Sequence, residues 1–109
     1  GNVSFLGKVI QGVPPRELKN IVDGFKKEVG SGIVSVAGSF ENKASLVVGV
    51  TEDLCGEYDA VVLVKHGVTA LNGKGGGGRP DMAQAGGSNV ENLSGAIERI
   101  KEFVAQMKQ

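Results

Sequence analysis

The sequence predicts a small α/β domain, of the α+β kind in two or three layers, in which helices pack on a β-sheet with a central hairpin. Two stretches repeat apolar residues every three or four positions, which is typical of amphipathic helices. Two further runs are apolar and β-branched and are joined by a short polar link, which is typical of a hairpin. The 109 residues suit one core, so we treat residues 1–109 as a single domain.

The first strand and the first helix are read directly from residue spacing. Residues 3–10 mix β-branched and aromatic side chains in partial alternation, and Gly12 ends this predicted strand. The pattern of Pro15–Val29 then predicts a helix, with Pro15 in its first turn and Gly30 just beyond its end. The apolar face of this helix comprises Leu18, Ile21, Val22, Phe25 and Val29.

The predicted hairpin consists of Ile33–Phe40 and residues 44–50, and the polar link 41–43 joins them. Asn42 in that link tolerates the left-handed backbone conformation that a tight hairpin turn needs. Both runs are apolar at nearly every position, so we expect other elements to cover both faces of the hairpin.

Residues 59–71 fit either a strand or a helix. Val61 to Val64 have the composition of a buried strand, whereas Asp59 suits a helix N-cap and Asn72 suits a helix stop. Periodicity alone leaves both interpretations open.

The last element is predicted to be a helix of about five turns. Ser88 and Glu91 have the spacing of a capping box, which places the start of the helix at Ser88. One helix face is then traced by Leu93, Ile97, Ile100, Val104 and Met107.

Charge and cysteine content restrict the function classes. Lys and Arg total 12, as do Asp and Glu, so no global positive field favours nucleic acid. Between residues 60 and 90, however, there are three basic side chains, Lys65, Lys74 and Arg79, and one acidic side chain, Asp81. This excess of positive charge indicates a local basic surface. Cys55 has no second cysteine for a disulfide, and one cysteine with one histidine is too few for a familiar zinc site. We therefore expect no metal and a reducing, cytoplasmic setting.

The sequence also bears on membranes and on a longer parent protein. No apolar run approaches the roughly 20 residues of a membrane span, and the N-terminus lacks the pattern of a signal peptide, so no membrane partner is expected. The chain enters a predicted strand almost at once after Gly1, so we expect a domain cut from a longer chain.

The segment from Lys74 to Gly87 is the candidate binding site. Consecutive glycines allow positive φ and close approach of the backbone to a ligand, and their N–H groups can surround a phosphate. Lys74 and Arg79 flank the run, and Gln84 adds a hydrogen-bonding group in a short predicted strand, 82–85. The alternative is structural: the glycines allow a tight turn and close strand packing, and Arg79 either satisfies local carbonyls or pairs with Asp81. The candidate RNA-binding residues are Lys65, Lys74, Gly75, Gly76, Gly77, Gly78, Arg79 and Gln84.

Other reactive side chains do not indicate catalysis. The glycine run is neither a Walker A loop nor a dinucleotide fingerprint, since no Ser or Thr closes it and no long helix follows. His66 has no partner at triad spacing and is interpreted as a surface or half-buried histidine. Cys55 lies among acidic residues that would raise its pKa and weaken it as a nucleophile. Lys26 and Lys27 are predicted to lie on the solvated face of the first helix.

The stretch GKGGGGRPDMAQAGG, residues 73–87, closely resembles the glycine-rich signature of the C-terminal globular (C-Ala) domain of bacterial-type alanyl-tRNA synthetases. Residues 15–30 and 43–51 resemble the first helix and the second hairpin strand of that domain, so the resemblance spans nearly the whole chain. The same fold is shared with the accessory domain of DHH phosphoesterases. The resemblance favours a helix for residues 59–71, which makes about three helices on the sheet.

The resemblance implies a non-catalytic tRNA-binding domain that contacts the outer corner of tRNA and aids both aminoacylation and editing. The parent enzyme of that family attaches alanine to its tRNA with ATP and magnesium, and it edits mischarged tRNA in a zinc-bearing domain. The fragment itself would then carry no cofactor. The implied partners are tRNA, other domains of the synthetase and a second copy in a homodimer.

Two alternatives remain open at this point. The chain could be a mainly structural or dimerisation module, which its balanced charge favours. It could also be the nucleic-acid-binding accessory domain of a DHH phosphoesterase. Against that last alternative, Arg79 stands where many of those domains have a histidine, and the sequence contains no Asp-His-His.

Overall fold

The computed structural model describes residues 3–107, which form a five-stranded mixed sheet between one helix and a pair of helices. Strand order across the sheet is β1-β2-β3-β5-β4, and the β1–β2 pair alone is parallel. This agrees with the three-layer form of the predicted α+β fold. The elements are β1 (Phe5–Gln11), α1 (Pro15–Val29), β2 (Ile33–Phe40), β3 (Lys43–Val50), α2 (Ala60–Val68), β4 (Gly77–Arg79), β5 (Met82–Gly87) and α3 (Leu93–Met107), with short 3₁₀ turns at Glu52–Leu54 and Thr69–Leu71.

Helix α1 has the predicted bounds and covers one face of the sheet. Pro15 occupies its first turn, and Gly30 ends it with a φ of 72° while its N–H donates to the Lys26 carbonyl at 3.1 Å. Leu18 and Val22 are fully buried against β2 and β3. A helix between β1 and β2 is expected, because parallel neighbours need a crossover connection.

The hairpin of β2 and β3 forms the middle of the sheet, and both its faces are covered as predicted. Phe40 pairs with Lys43, so the turn is the two-residue step Glu41–Asn42. These residues have φ values of 50° and 63°, the left-handed conformation of a type I′ turn. Lys43, expected in the link, instead begins β3.

Residues 60–68 form helix α2, so the helical interpretation of this segment is confirmed. The Asp59 carboxylate caps the helix by accepting a 2.9 Å hydrogen bond from the Val61 N–H, and Asn72 stops the following turn at a φ of 58°. Leu63 and Val64 are buried against the sheet. Burial against the core outweighs the low helix propensity of the valines.

The predicted capping box at Ser88 and Glu91 is wrong, because α3 begins only at Leu93. The Ser88 and Asn89 N–H groups both donate to the Leu71 carbonyl at 2.9 Å. The side chains of Asn89 and Asn92 donate to the Ala70 carbonyl. Residues 88–92 thus donate hydrogen bonds to carbonyls at the end of the α2 region. Because these residues are held by those bonds, α3 begins only after them.

The helices α2 and α3 pack together on the face of the sheet opposite α1. Leu46, Val48 and Ala83 on that face contact a cluster that includes Leu63 and Ile100. Within residues 3–107, no helix has the length and apolar character needed to cross a lipid bilayer.

Candidate nucleic-acid interface

The end of the glycine run, Gly77 and Gly78, forms with Arg79 an exposed edge strand that the sequence did not predict. Strand β4 pairs antiparallel with β5 and is the last strand in the sheet order, so its outer side has no neighbouring strand. All three of its residues are exposed. The backbone of this edge therefore lies open to solvent with only one long side chain, that of Arg79.

The glycines of the run meet different structural demands. Gly75 and Gly76 have φ values of 76° and 125°, and Gly78 has a φ of 146°. A Cβ at Gly78 would also overlap the Met82 carbonyl oxygen and lie 2.8 Å from the Ala83 Cα. A Cβ at Gly77 would meet no atom of the described chain within 4 Å, and its φ lies outside the left-handed region. The fold therefore requires Gly78 and leaves Gly77 free to serve a ligand.

The structure divides the predicted site residues between the two faces of the sheet. Arg79 pairs with Met82, and Met82 packs beneath α1, so Arg79 lies on the α1 face. Gln84 lies two residues after Met82 and shares that face, where it is exposed. Lys65 lies on α2, which packs on the opposite face. Arg79 and Gln84 therefore belong to one surface, and Lys65 belongs to another.

Lys74 lies in the exposed loop that leads from the α2 region into β4. This loop runs close to α2, because a Cβ at Gly76 would lie 3.0 Å from the Val64 Cγ1. The loop therefore connects the surface of Arg79 with the surface of Lys65.

Arg79 pairs with Asp81, as the structural alternative predicts. The Arg79 Nε lies 3.3 Å from the Asp81 Oδ1, but the Arg79 side chain remains 75% exposed. A surface ion pair of this kind contributes about 0–1 kcal/mol. Its guanidinium can therefore exchange this partner for a phosphate at little cost.

Lys26 is part of the same network, so its prediction as an ordinary solvated side chain is wrong, while Lys27 is exposed as predicted. The Lys26 side chain is 16% exposed, its Nζ donates to the Asp81 carbonyl at 3.1 Å, and it lies 3.8 Å from the Asp81 Oδ2. The reason is Gly49, where a Cβ would lie 2.8 Å from the Lys26 Cδ. A glycine inside an apolar strand was the available signal that another chain segment approaches closely.

The turn Pro80–Asp81 between β4 and β5 is held by three separate elements. The Asp81 carbonyl accepts from the Val50 N–H at 3.0 Å as well as from Lys26, and the Pro80 carbonyl accepts from the Ala60 N–H at 2.9 Å. Strand β3, helix α1 and helix α2 thus fix this turn. These contacts fix the backbone that follows Arg79 at the sheet edge.

A cleft of about 640 Å³ lies beside this turn, between the end of α1 and the turn Glu52–Leu54. Its lining includes Cys55, whose Sγ lies 3.6 Å from the Thr51 carbonyl oxygen. The predicted rise in the Cys55 pKa is confirmed, but burial is its largest cause and the charge of Asp81 comes second. A raised pKa leaves this thiol a weak nucleophile.

His66 is exposed and stacks on Phe103, with ring centroids 3.7 Å apart. Within residues 3–107, no group of three or more His, Cys, Asp or Glu side chains could hold a metal ion. The arrangement at the sheet edge consists of an open glycine backbone, the cations Lys74 and Arg79, one amide and the carboxylate of Asp81. Exposed backbone N–H groups and cations are groups that can bind phosphate oxygens.

Comparison with known proteins relates this geometry to one family. Residues 2–106 match the family model described as the DHHA1 domain. The alanine–tRNA ligase of Chelativorans sp. (strain BNC1) is 50% identical over 106 residues, which cover 96% of this chain and 12% of that protein. The alanine–tRNA ligase of Paramagnetospirillum magneticum (strain ATCC 700264 / AMB-1) is 50% identical over 100 residues, which cover 92% of this chain and 11% of that protein.

A solved structure is also similar over nearly its full length. The crystal structure of the C-Ala domain from Aquifex aeolicus alanyl-tRNA synthetase superimposes with a TM-score of 0.87 at 28% identity, covering 96% of this chain and 94% of that one. The chain spans about an eighth of the length of the curated relatives it matches. The chain therefore belongs to the DHHA1 domain family and is similar in fold to the C-Ala domain of alanyl-tRNA synthetase.

Proposed function

We propose that this chain is the C-terminal tRNA-binding domain of an alanyl-tRNA synthetase, and that it contacts the outer corner of tRNA with the β4 edge. The observation that carries the proposal is the open glycine strand ending in Arg79, whose side chain is 75% exposed. In this role the domain catalyses nothing itself and helps one tRNA reach the aminoacylation and editing sites. ATP, magnesium and zinc belong to other domains of the parent, which acts in the cytoplasm.

Each group at the edge has a distinct task in this proposal. The exposed N–H groups of the glycine strand approach the sugar–phosphate backbone, and Gly77 allows that approach because it adds no side chain. Arg79 and Lys74 bind phosphate oxygens, and Gln84 donates or accepts a hydrogen bond on the same face as Arg79. Such contacts read the shape of folded RNA and not its base sequence.

The alternative is a structural or dimerisation module that barely touches RNA. Two observations favour it: the balanced charge of the chain and the ion pair that already occupies Arg79. Under this alternative the β4 edge packs against another domain of the parent or against a second copy in a homodimer. Charge reversal at the β4 edge distinguishes the two functions, because it should lower RNA affinity for a tRNA-binding domain and leave it unchanged for a structural module.

Fluorescence anisotropy with labelled alanine tRNA, an unrelated tRNA and single-stranded DNA tests the proposal across a salt series. Lys74→Glu with Arg79→Glu should weaken tRNA binding and reduce its salt dependence, by about 0.7 to 0.9 log units of affinity per log unit of salt for each phosphate contact that is lost. Lys8→Glu with Lys43→Glu makes the same charge change on exposed residues of other strands, and serves as the matched control.

A second variant, Gly77→Ala, separates backbone contact from charge. It should leave the fold intact, because its Cβ enters open space, and it should weaken tRNA binding if RNA approaches the strand closely. Equal tRNA affinity in the wild type, the edge variants and the control would refute the proposal in favour of the structural module. Preference for single-stranded DNA would instead indicate a phosphoesterase accessory domain.

A further inference from the structure

The outward surfaces of α2 and α3 form a groove on the side of the molecule opposite Arg79 and Gln84. The residues that line it follow one another at helical steps of three, four and seven positions, so each helix contributes a single stripe. Two adjoining clefts of about 490 and 480 Å³ make up the groove, and both are lined by His66 and Arg99. Its lining is Val62, Lys65, His66 and Thr69 from the α2 side and Arg99, Glu102, Phe103 and Gln106 from α3.

An aromatic stack forms the middle of this groove. The His66 imidazole lies parallel to the Phe103 ring, with a centroid distance of 3.7 Å and an interplanar angle of 22°. Phe103 is half-buried and supports one face of the imidazole, while His66 is exposed. The supported imidazole is therefore a preformed flat surface on which another ring can stack.

One cation beside the stack, Arg99, is held by a hydrogen bond and not by an ion pair. The Arg99 guanidinium donates to the Thr69 Oγ1 at 3.0 Å, and that hydroxyl in turn donates to the His66 carbonyl at 2.9 Å. Among residues 3–107, no carboxylate lies within 4.0 Å of the charged nitrogens of Arg99 or Lys65. A guanidinium fixed by a hydroxyl keeps its full charge and its remaining N–H groups for an anion.

We propose that this groove binds an unpaired nucleotide of RNA, with the base stacked on His66 and the phosphate held by Arg99 and Lys65. A flat aromatic platform beside two exposed cations, one of them held by a hydrogen bond, matches the planar base and the anionic phosphate of a single-stranded segment. The inference rests on the proposed RNA-binding function and gives Lys65 a site distinct from the sheet edge.

The loop before β4 packs against α2, the helix that lines the groove. The loop that carries Lys74 touches α2 at Val64, which immediately precedes Lys65. An RNA held at the β4 edge can therefore extend a neighbouring unpaired nucleotide over α2 into the groove. The two contacts together would involve both faces of the molecule.

NMR provides a specific test, because His66 is the single histidine of the chain and its ring protons give unambiguous signals. The domain is titrated at constant pH with pentaadenylate, with adenosine and with inorganic phosphate. Pentaadenylate should shift the His66 and Phe103 ring signals more than either fragment does. In Lys65→Gln with Arg99→Gln these shifts should be largely lost, and the salt slope should fall by about 1.4, or 0.7 for each lost contact with a single strand.

Two further variants complete the test. Lys101→Gln removes a charge from α3 about 200° around the helix from Arg99, so it should retain the shifts. Lys74→Glu with Arg79→Glu should also retain them, so that the groove is judged separately from the sheet edge. Shifts that phosphate alone reproduces, shifts that persist in Lys65→Gln with Arg99→Gln, or no shifts with any probe would each overturn the proposal.

Discussion

Alanine substitution at two adjacent glycines of β4 should have different consequences for stability. Gly78 is held at a φ of 146°, and a Cβ there would overlap the backbone of Met82. The strained φ and the overlap each cost about 1–3 kcal/mol, and about 1.5 kcal/mol for each gives an expected fall of about 3 kcal/mol in the free energy of unfolding of Gly78→Ala. With an unfolding entropy of about 2.1 cal/mol/K per residue, this corresponds to a fall in Tm of roughly 13 °C.

Gly77→Ala is the matched control for this experiment. Its Cβ meets nothing in the described chain within 4 Å, so we expect a change between zero and a gain of about 1 kcal/mol from the lower entropy of the unfolded chain. Urea denaturation followed by circular dichroism gives the free energy of unfolding of each variant. Equal destabilisation by both substitutions, or none by Gly78→Ala, would refute the conclusion that the fold requires a glycine at position 78 but not at position 77.

Three other predictions concern the described contacts. Ser35→Ala should raise the free energy of unfolding by about 1 kcal/mol in a urea titration, because the fully buried Ser35 hydroxyl has no hydrogen-bond partner within the described residues; a loss of stability would mean that it has one. Lys26→Met keeps the stem but removes the bond to the Asp81 carbonyl, and should cost about 1 kcal/mol in the same titration; an unchanged midpoint would contradict this. The hydrogen bond from the Ser31 hydroxyl is the largest cause that lowers the pKa of Asp53 below its ordinary value of 3.8. This contact therefore stabilises the fold above pH 3.8, and its contribution is lost as the pH falls through the lowered pKa of Asp53 in the folded protein. Ser31→Ala should therefore be less stable than the wild type at pH 7 and equal to it at low pH, and a difference that is constant with pH would contradict the linkage.

Much of the fold could be predicted from local sequence signals. The bounds of α1 and β2 are those that the pattern indicates, because the signals for them (Pro15, Gly30 and a largely apolar run) lie within or next to the elements themselves. The valine-rich segment that became α2 was ambiguous, and the family resemblance decided it correctly. The start of α3 was predicted wrongly, since it depends on carbonyls of the turn Thr69–Leu71, which no local pattern reveals.

The candidate site was predicted only in part. Sequence identified the glycine run and Arg79 as the segment of interest, and the structure places them at an exposed sheet edge. The supporting role of Lys26 and the stack of His66 on Phe103 were missed, because each joins residues more than 30 positions apart in the chain.

The sequence by itself determined where the chain turns, which residues are apolar enough to form the core and which family the domain belongs to, because these properties lie in residue identity and spacing. Only the tertiary structure decided that Arg79 and Gln84 share the α1 face and that Lys65 lies across the sheet from them. The physical reason is that side chains alternate along a strand, so strand pairing and helix placement set the face on which each one lies. The functional surfaces of this domain are therefore products of long-range pairing.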